Sequence, residues 1–327
     1  MLQFVLKRIV ITIPVLLGVT LIIFTMMFFT EGDPARMILG DDALPEDVEQ
    51  LREEMGLNDP FFEQYIRYLG NAIRGDLGIS YTTKVPVTTE IMARLPVTFK
   101  LAVFSTLFAI CVGIPAGIIS AVRQYSILDN ITTVLALVGI TMPNFWLALM
   151  LTLFFSVYLG WLPASGLYGP QYYIMPVLSI SVLSVATITR MTRSSMLEVI
   201  RQDYIRTARA KGQSEIKIIF KHALKNALIP IITVIGIQFA TILGGAVVNE
   251  QVFAIPGLGK LMVDGIKARN YPIVQGGVLV IAIMFSILNL LIDLLYAFVD
   301  PRIKTQYQRA SKKSKEKVAA AGKGVSQ

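Results

Sequence analysis

The sequence predicts an all-α membrane protein with six transmembrane helices and a small external domain between the first two. Three observations carry that prediction. Of the 327 residues, 54% are hydrophobic and only 16% are charged, against about a quarter charged in a soluble domain. Charge is absent from five long stretches. The Lys and Arg that remain are spread unequally over the segments between those stretches.

The uncharged runs give the elements in order. Ile9 to Thr30, Leu101 to Val122, Asn226 to Asn249 and Tyr271 to Ile292 hold 22, 22, 24 and 22 residues. A helix rising 1.5 Å per residue needs roughly 20 to cross a hydrocarbon core of about 30 Å, so each run is one span. Asn130 to Thr189 runs 60 residues without Asp, Glu, Lys or Arg. It is broken by Gly160-Trp161-Leu162-Pro163-Ala164-Ser165-Gly166 and Gly169-Pro170, turn formers with interface aromatics, and reads as two spans with a short re-entry. Helix is the only open option, because unpaired backbone in lipid costs several kcal/mol. The first run follows Lys7-Arg8, exceeds a signal-peptide core and shows no small-residue cleavage site, so it reads as a retained first helix. The chain divides into a first helix at 1–30, an external domain at 31–99 and a five-helix core at 100–303. A basic tail at 304–327 completes it and reads as disordered, brushing anionic lipid at most.

Within the external domain, Leu44 to Leu57 reads as a short helix with Pro45 in its first turn, acids after it and Gly56 at its end. Asn58-Asp59-Pro60 starts a second helix, whose apolar Phe61, Tyr65, Ile66 and Leu69 recur at spacings of three and four. The irregular Arg74 to Ser80 follows.

Orientation comes from the basic residues. With the N-terminus inside, segments 1–8, 123–129, 190–225 and 300 onward hold 20 of the 30 Lys and Arg. The 31–100 segment holds 13 acids against 7 bases, and a long loop translocates largely regardless of charge. Both termini are expected on the cytoplasmic side. The net charge of +8 is therefore a topology signal, and no nucleic-acid partner is expected.

Reaction chemistry is missing. No G-x-x-x-x-G-K-[ST] phosphate loop is present; Ile255-Pro256-Gly257-Leu258-Gly259-Lys260 resembles one faintly, with the wrong spacing and on the outer side. Of the carboxylates a proton- or sodium-driven carrier would bury, only Asp293 near the end of the sixth span is a candidate, and it reads better as snorkelling or paired. Glu250 and Asp264 fall at the outer edge. His222 is the one histidine and Cys111, a mid-span packing residue, the one cysteine, so neither a metal site nor an intrachain disulfide is expected. Thr192 to Met196 reads as a helix end. No catalytic constellation emerges, and no cofactor is expected in this chain.

The segment 190–225 is basic and helical with one break at Gly212-Gln213-Ser214, where Ser214 is placed to cap a second helix from Glu215 to Lys225. Ile205, Ala208 and Gly212 share one face of the first helix; Ile216, Ile219, Phe220 and Ala223 form a stripe on the second. This helix–break–helix suits either a groove on another protein or a lipid headgroup layer.

Arg190 to Val199 followed by Asp203 to Gly212 resembles the coupling region of ABC peptide permeases, in particular the B-type subunit of dipeptide and oligopeptide importers. The importer signature is E-A-A, three residues, G, nine residues, I-x-L-P. Ala208, Gly212 and Leu224 match it, while Arg206, Thr207, His222 and Lys225 depart from it, so the usual Glu contact does not carry over to Arg206. The resemblance extends through Gly32-Asp33-Pro34, Gly75 to Ser80, Met142-Pro143, Pro256 to Gly259, Asp264, Tyr271 to Gly277 and Asp300-Pro301-Arg302. It implies a type I importer permease fold in a bacterial or archaeal cytoplasmic membrane, moving di- or oligopeptides by alternating access. The implied partners are a homologous C-type permease, two cytoplasmic ATPases that bind the ATP and Mg, an extracytoplasmic binding protein and membrane lipid. Tyr204, Ile205, Arg206, Thr207, Ala208, Lys211, Gly212, Ile216 and Phe220 are the implied ATPase-coupling residues. Nickel or another metal chelate, or glutathione, is an alternative cargo; a stand-alone channel or secondary carrier is the alternative of another class.

Overall fold

A computed structural model of the chain describes residues 2–299 apart from 31 and 41. The basic tail and the Asp300-Pro301-Arg302 motif lie outside the described residues, as does the side chain of Asp293. The helices are α1 (Leu2–Phe28), α2 (Pro34–Leu39), α3 (Pro45–Met55), α4 (Phe61–Ile73), α5 (Val87–Val122), α6 (Ile127–Thr141) and α7 (Asn144–Leu151). They continue as α8 (Ile174–Ile200), α9 (Asp203–Ala210), α10 (Glu215–Lys217), α11 (Lys225–Val252), α12 (Leu258–Lys267) and α13 (Tyr271–Val299). Thr152–Tyr158 and Ile218–Leu224 are π-helical. Among the described residues the only β pairing is the isolated Ile79–Pro86 bridge.

Among the described residues five helical stretches are long and apolar enough to cross a membrane, and a sixth is a bent pair. Ile127–Thr141 and Asn144–Tyr158 meet at 103°. The break falls at Met142-Pro143, where Pro143 caps α7 in an extended conformation, as expected of a residue that cannot continue a helix. That bent pair does cross, because its two flanks are fixed at opposite ends of the molecule. Before it, the 123–126 turn is held by Arg201 donating to Gln124 at 3.2 Å. After it, the Gly166 N–H donates to the Phe253 carbonyl at 2.9 Å, beside the external domain. Six crossings result, as the charge-free runs predict.

The core is built around α5, α8 and α11. Small buried residues of α5 (Ala102, Ser105, Ala109, Gly113, Gly117) let α8 lie close, the usual solution where lipid removes any hydrophobic drive between helices. Near the external domain, Leu101, Met175, Leu243, Phe253 and Ile255 form one apolar cluster. At the opposite end a second gathers Ile118, Met196, Ile205, Ile218, Ala223 and Ile231. The external segment is tied down just before α13: Asn270 donates to Ser80 at 2.8 Å and accepts from the Tyr81 N–H at 3.2 Å.

Three expectations are corrected. Thr192–Met196 does not end a helix, since α8 runs on to Ile200. Cys111 is exposed on α5, where its neighbours Ala109 and Gly113 turn inward instead. The second helix of the 190–225 segment does not stop at Lys225; it passes through the π-turn straight into α11.

Candidate coupling interface

The segment after α8 folds back on the end of the bundle as α9, a turn, and α10 leading into α11. Gly212 makes the turn. Its φ is +74°, a conformation that costs an L-residue roughly 1–2 kcal/mol. Its N–H closes the helix onto the Arg209 carbonyl at 2.9 Å. Ser214 takes the N-cap position of α10 without a side-chain capping bond.

Three polar pairs staple the turn. Arg209 donates to the Glu215 carboxylate from Nε and Nη2, at 2.8 and 3.2 Å, and these hydrogen bonds hold the Arg209 guanidinium above its ordinary pKa. His222 Nε2 and Gln213 Oε1 are 2.7 Å apart. Asn226 donates to the Tyr204 hydroxyl at 2.9 Å. Two helices joined by the four residues 211–214 are thus held in one relative position.

The residues singled out by the sequence divide into two sets. Ile205 and Ala208 face inward and are buried with Ile118, Ala121 and Met196 of α5 and α8. Tyr204, Arg206, Thr207, Lys211, Gly212, Ile216 and Phe220 are exposed. Ile216 and Phe220 are 73% and 57% exposed, large apolar side chains on a surface otherwise carrying Arg206, Arg209, Lys211, Lys217 and Lys221. The predicted stripe of Ile216, Ile219, Phe220 and Ala223 is split, because π-turn bonding runs i to i+5. Ile218 and Ala223, five apart, are the fully buried pair, and Ile218 was invisible to a reading at α-helical period.

A second unpredicted feature sits beside this segment. Asp129, at the start of α6, accepts two hydrogen bonds from the Arg193 guanidinium of α8, at 2.7 and 2.9 Å. It also accepts from Ser120 of α5 and from the Tyr125 N–H at 2.9 Å. With its carboxylate fully bonded, Asp129 fastens α5, α6 and α8 at the end where α9 packs, while the Arg193 side chain stays partly exposed.

The phosphate-loop lookalike has its own occupant. Glu250 is fully buried. Its carboxylate accepts from Thr98 at 2.6 Å and from the Lys260 N–H at 2.8 Å, in the first turn of α12. A Cβ at Gly257 would fall on that carboxyl group, and one at Gly259 would lie 2.9 Å from Glu250 Oε2. The glycines cradle a carboxyl group at a helix N-terminus, and that group is the chain's own side chain.

Known proteins resolve what such a bundle belongs to. Residues 113–305 match the binding-protein-dependent transport system inner membrane component, and residues 1–102 match the N-terminal part of such membrane components. The chain belongs to this permease family. It is a multi-pass inner-membrane transport subunit. The dipeptide transport system permease protein DppB of Alkalihalophilus pseudofirmus is 42% identical over 93% of this chain and 100% of its own length. The oligopeptide permease AppB of Bacillus subtilis is 42% identical over the same shares. The glutathione permease GsiC of Escherichia coli is 41% identical over 93% of this chain and 99% of its own length. Among solved structures, a chain of the inward-facing MetNI methionine ABC transporter superposes with a TM-score of 0.52 at 21% identity, over 64% of this permease and 96% of that chain. The shared fold is that of a type I importer permease.

Proposed function

We propose that this permease is one of the two channel-forming subunits of an ATP-driven importer of di- or oligopeptides, with both its termini in the cytoplasm. The observation that carries the coupling half of this reading is the stapled α9–α10 segment. It presents Tyr204, Ile216 and Phe220 on a basic surface while Ile205, Ala208 and Ile218 root it in the bundle. An apolar tip on a preformed helix pair suits a groove in a partner, and the basic rim suits an acidic one. The partner is a cytoplasmic ATPase, which holds the ATP and Mg; this chain supplies neither a phosphate loop nor a cofactor. Closure of two ATPases displaces the docked segments. Because Ile205 and Ala208 are buried against α5 and α8, that displacement reaches the spans as a rigid movement, and this permease rocks against a second, homologous one. Peptide arrives from an extracytoplasmic binding protein. The cargo rests on the equal likeness, along 93% of the chain, to dipeptide and oligopeptide permeases.

The test is gentle purification of the tagged chain from its native membrane. Recovery of a second permease and two phosphate-loop ATPases is expected, with ATP turnover raised by a peptide-loaded binding protein. Recovery of the chain alone, with uptake persisting without ATP, would overturn the importer. Stimulation by glutathione or a metal chelate but by no other peptide would move the cargo while leaving the machine intact.

A further inference from the structure

The helix α4 belongs by sequence to the external domain, yet it does not stand clear of the membrane. Its Phe61 ring lies 5.1 Å from Phe28 and 5.4 Å from Phe24 of α1. Tyr65 and Tyr68 pack on Phe24 at 5.4 and 5.8 Å. The Tyr65 hydroxyl reaches further, donating to the Leu17 carbonyl at 3.1 Å and lying 3.1 Å from Thr20 Oγ1. Phe24 is four residues inside the end of α1 at Phe28, and Thr20 is eight. At 1.5 Å per residue, α4 therefore lies beside the span about 6 Å in from its end, with Tyr65 reaching roughly 12 Å in.

At that depth the remaining faces of α4 are informative. Phe62, Ile66, Leu69 and Ile73 recur at spacings of four, three and four, which places them on one side of the helix. Phe62, Ile66 and Ile73 are 70%, 66% and 87% exposed. This face adjoins the one that packs on α1, so the apolar arc is continuous. The opposite side carries the exposed Glu63, Arg67 and Asn71, and Arg67 is turned back to Asp59 at 2.6 Å and to the Gly56 carbonyl at 2.8 Å. The neighbouring surface of α1 is also open and apolar, with Leu17, Leu21 and Ile22 exposed.

We infer that α4 is an interfacial helix whose Phe62–Ile66–Ile73 face is buried in the acyl-chain margin of the bilayer, with lipid as its occupant. A wide apolar arc, a charged opposite face and a depth of 5–10 Å are what such a helix requires. Beyond its first turn its backbone groups are paired within the helix, as lipid contact requires. The embedded helix braces α1, which otherwise packs mainly on α13, and fixes the height of the external segment above the channel mouth. The inference rests on α1 being a span. It does not depend on which leaflet is external.

Single cysteines placed at 62, 66 and 73 in a Cys111→Ser background, labelled with a nitroxide in the assembled transporter in lipid vesicles, test this directly. Ile22→Cys is the lipid-facing reference, and Glu63→Cys and Asn71→Cys are the polar-face references. Collision with dissolved oxygen is expected to exceed collision with a water-soluble nickel chelate several-fold at 62, 66 and 73, as at 22, and the order is expected to reverse at 63 and 71. Nickel accessibility at 62 and 66 matching that at 63 would overturn the proposal. Shielding of 62 and 66 from both reagents would overturn it in favour of a protein partner on this face. Water at position 22 as well would instead remove α1 from the membrane, and the proposal with it.

Discussion

Glu250 shows how a buried carboxyl group is made tolerable by its immediate surroundings. A carboxylate at full burial is costly unless hydrogen bonds saturate it. Here Thr98 and the start of α12 supply them, two glycines leave room for the group, and Thr98 in turn accepts from the Leu258 N–H at 2.8 Å. Gly257→Ala places a methyl group on the carboxyl, so it is expected to lower stability by about 1–3 kcal/mol or more, read as a fall in the unfolding temperature of the purified protein. In a Glu250→Ala background the atom that is struck is gone. The same substitution should then cost much less, since residues in one network are not additive. Equal costs in both backgrounds would show that the glycine matters for another reason. The sequence placed Glu250 at the membrane edge and noticed the glycine run. It could not join them, because the contact closes across a turn whose shape no local periodicity encodes. Asp129 and Arg193 went unread for the same reason: they lie 64 residues apart, and each has an unremarkable local context.

The helices themselves were largely legible, because apolar run length and cap chemistry are local signals. α3 begins with Pro45 and ends at Gly56, with a left-handed φ of 63°, as its composition indicates. Departures occur where geometry leaves the α-helical period. The 103° bend at Met142-Pro143 sits inside a run whose hydropathy never falters. The π-turn at Ile218–Leu224 shifts the face that a spacing of four assigns. That shift gives a crossed prediction. Ile218 is fully buried, so Ile218→Ala should cost about 2–5 kcal/mol of stability, as buried aliphatic truncations do. Phe220→Ala removes an exposed ring and should leave the unfolding temperature nearly unchanged. It should nevertheless uncouple uptake from ATP turnover, since that ring belongs to the proposed docking tip. If Phe220→Ala unfolds the protein while Ile218→Ala spares it, the α-helical stripe was right and the π-turn assignment is wrong.

The two ends of the whole molecule are distinct in what they hold. One gathers the external segment, α12 and the Glu250 cradle; the other gathers the Asp129–Arg193 pair and the stapled coupling segment. Six crossings put these ends on opposite sides of the bilayer, and the proposed orientation sets the coupling end in the cytoplasm, because Lys and Arg are retained there during insertion. The exposed Glu46 of α3 and Lys217 of α10 mark the two ends. Cys111, the only cysteine, must first be replaced by Ser because it is itself exposed. A cysteine at position 46 should then react with a membrane-impermeant maleimide in intact cells, and one at position 217 only after the membrane is opened. The reverse order would invert the molecule and place the coupling segment where no ATP is available. Reaction at both positions in intact cells would mean that the chain between them crosses an odd number of times fewer, so that the bent α6–α7 pair enters and leaves on one side. That outcome would contradict the fixed flanks of the pair, Gln124 bound to Arg201 at one end and Gly166 bound to Phe253 at the other. The labelling pattern therefore tests the crossing count and the orientation separately, and only the pattern of position 46 outside and 217 inside is compatible with an ATPase pushing on α9 and α10.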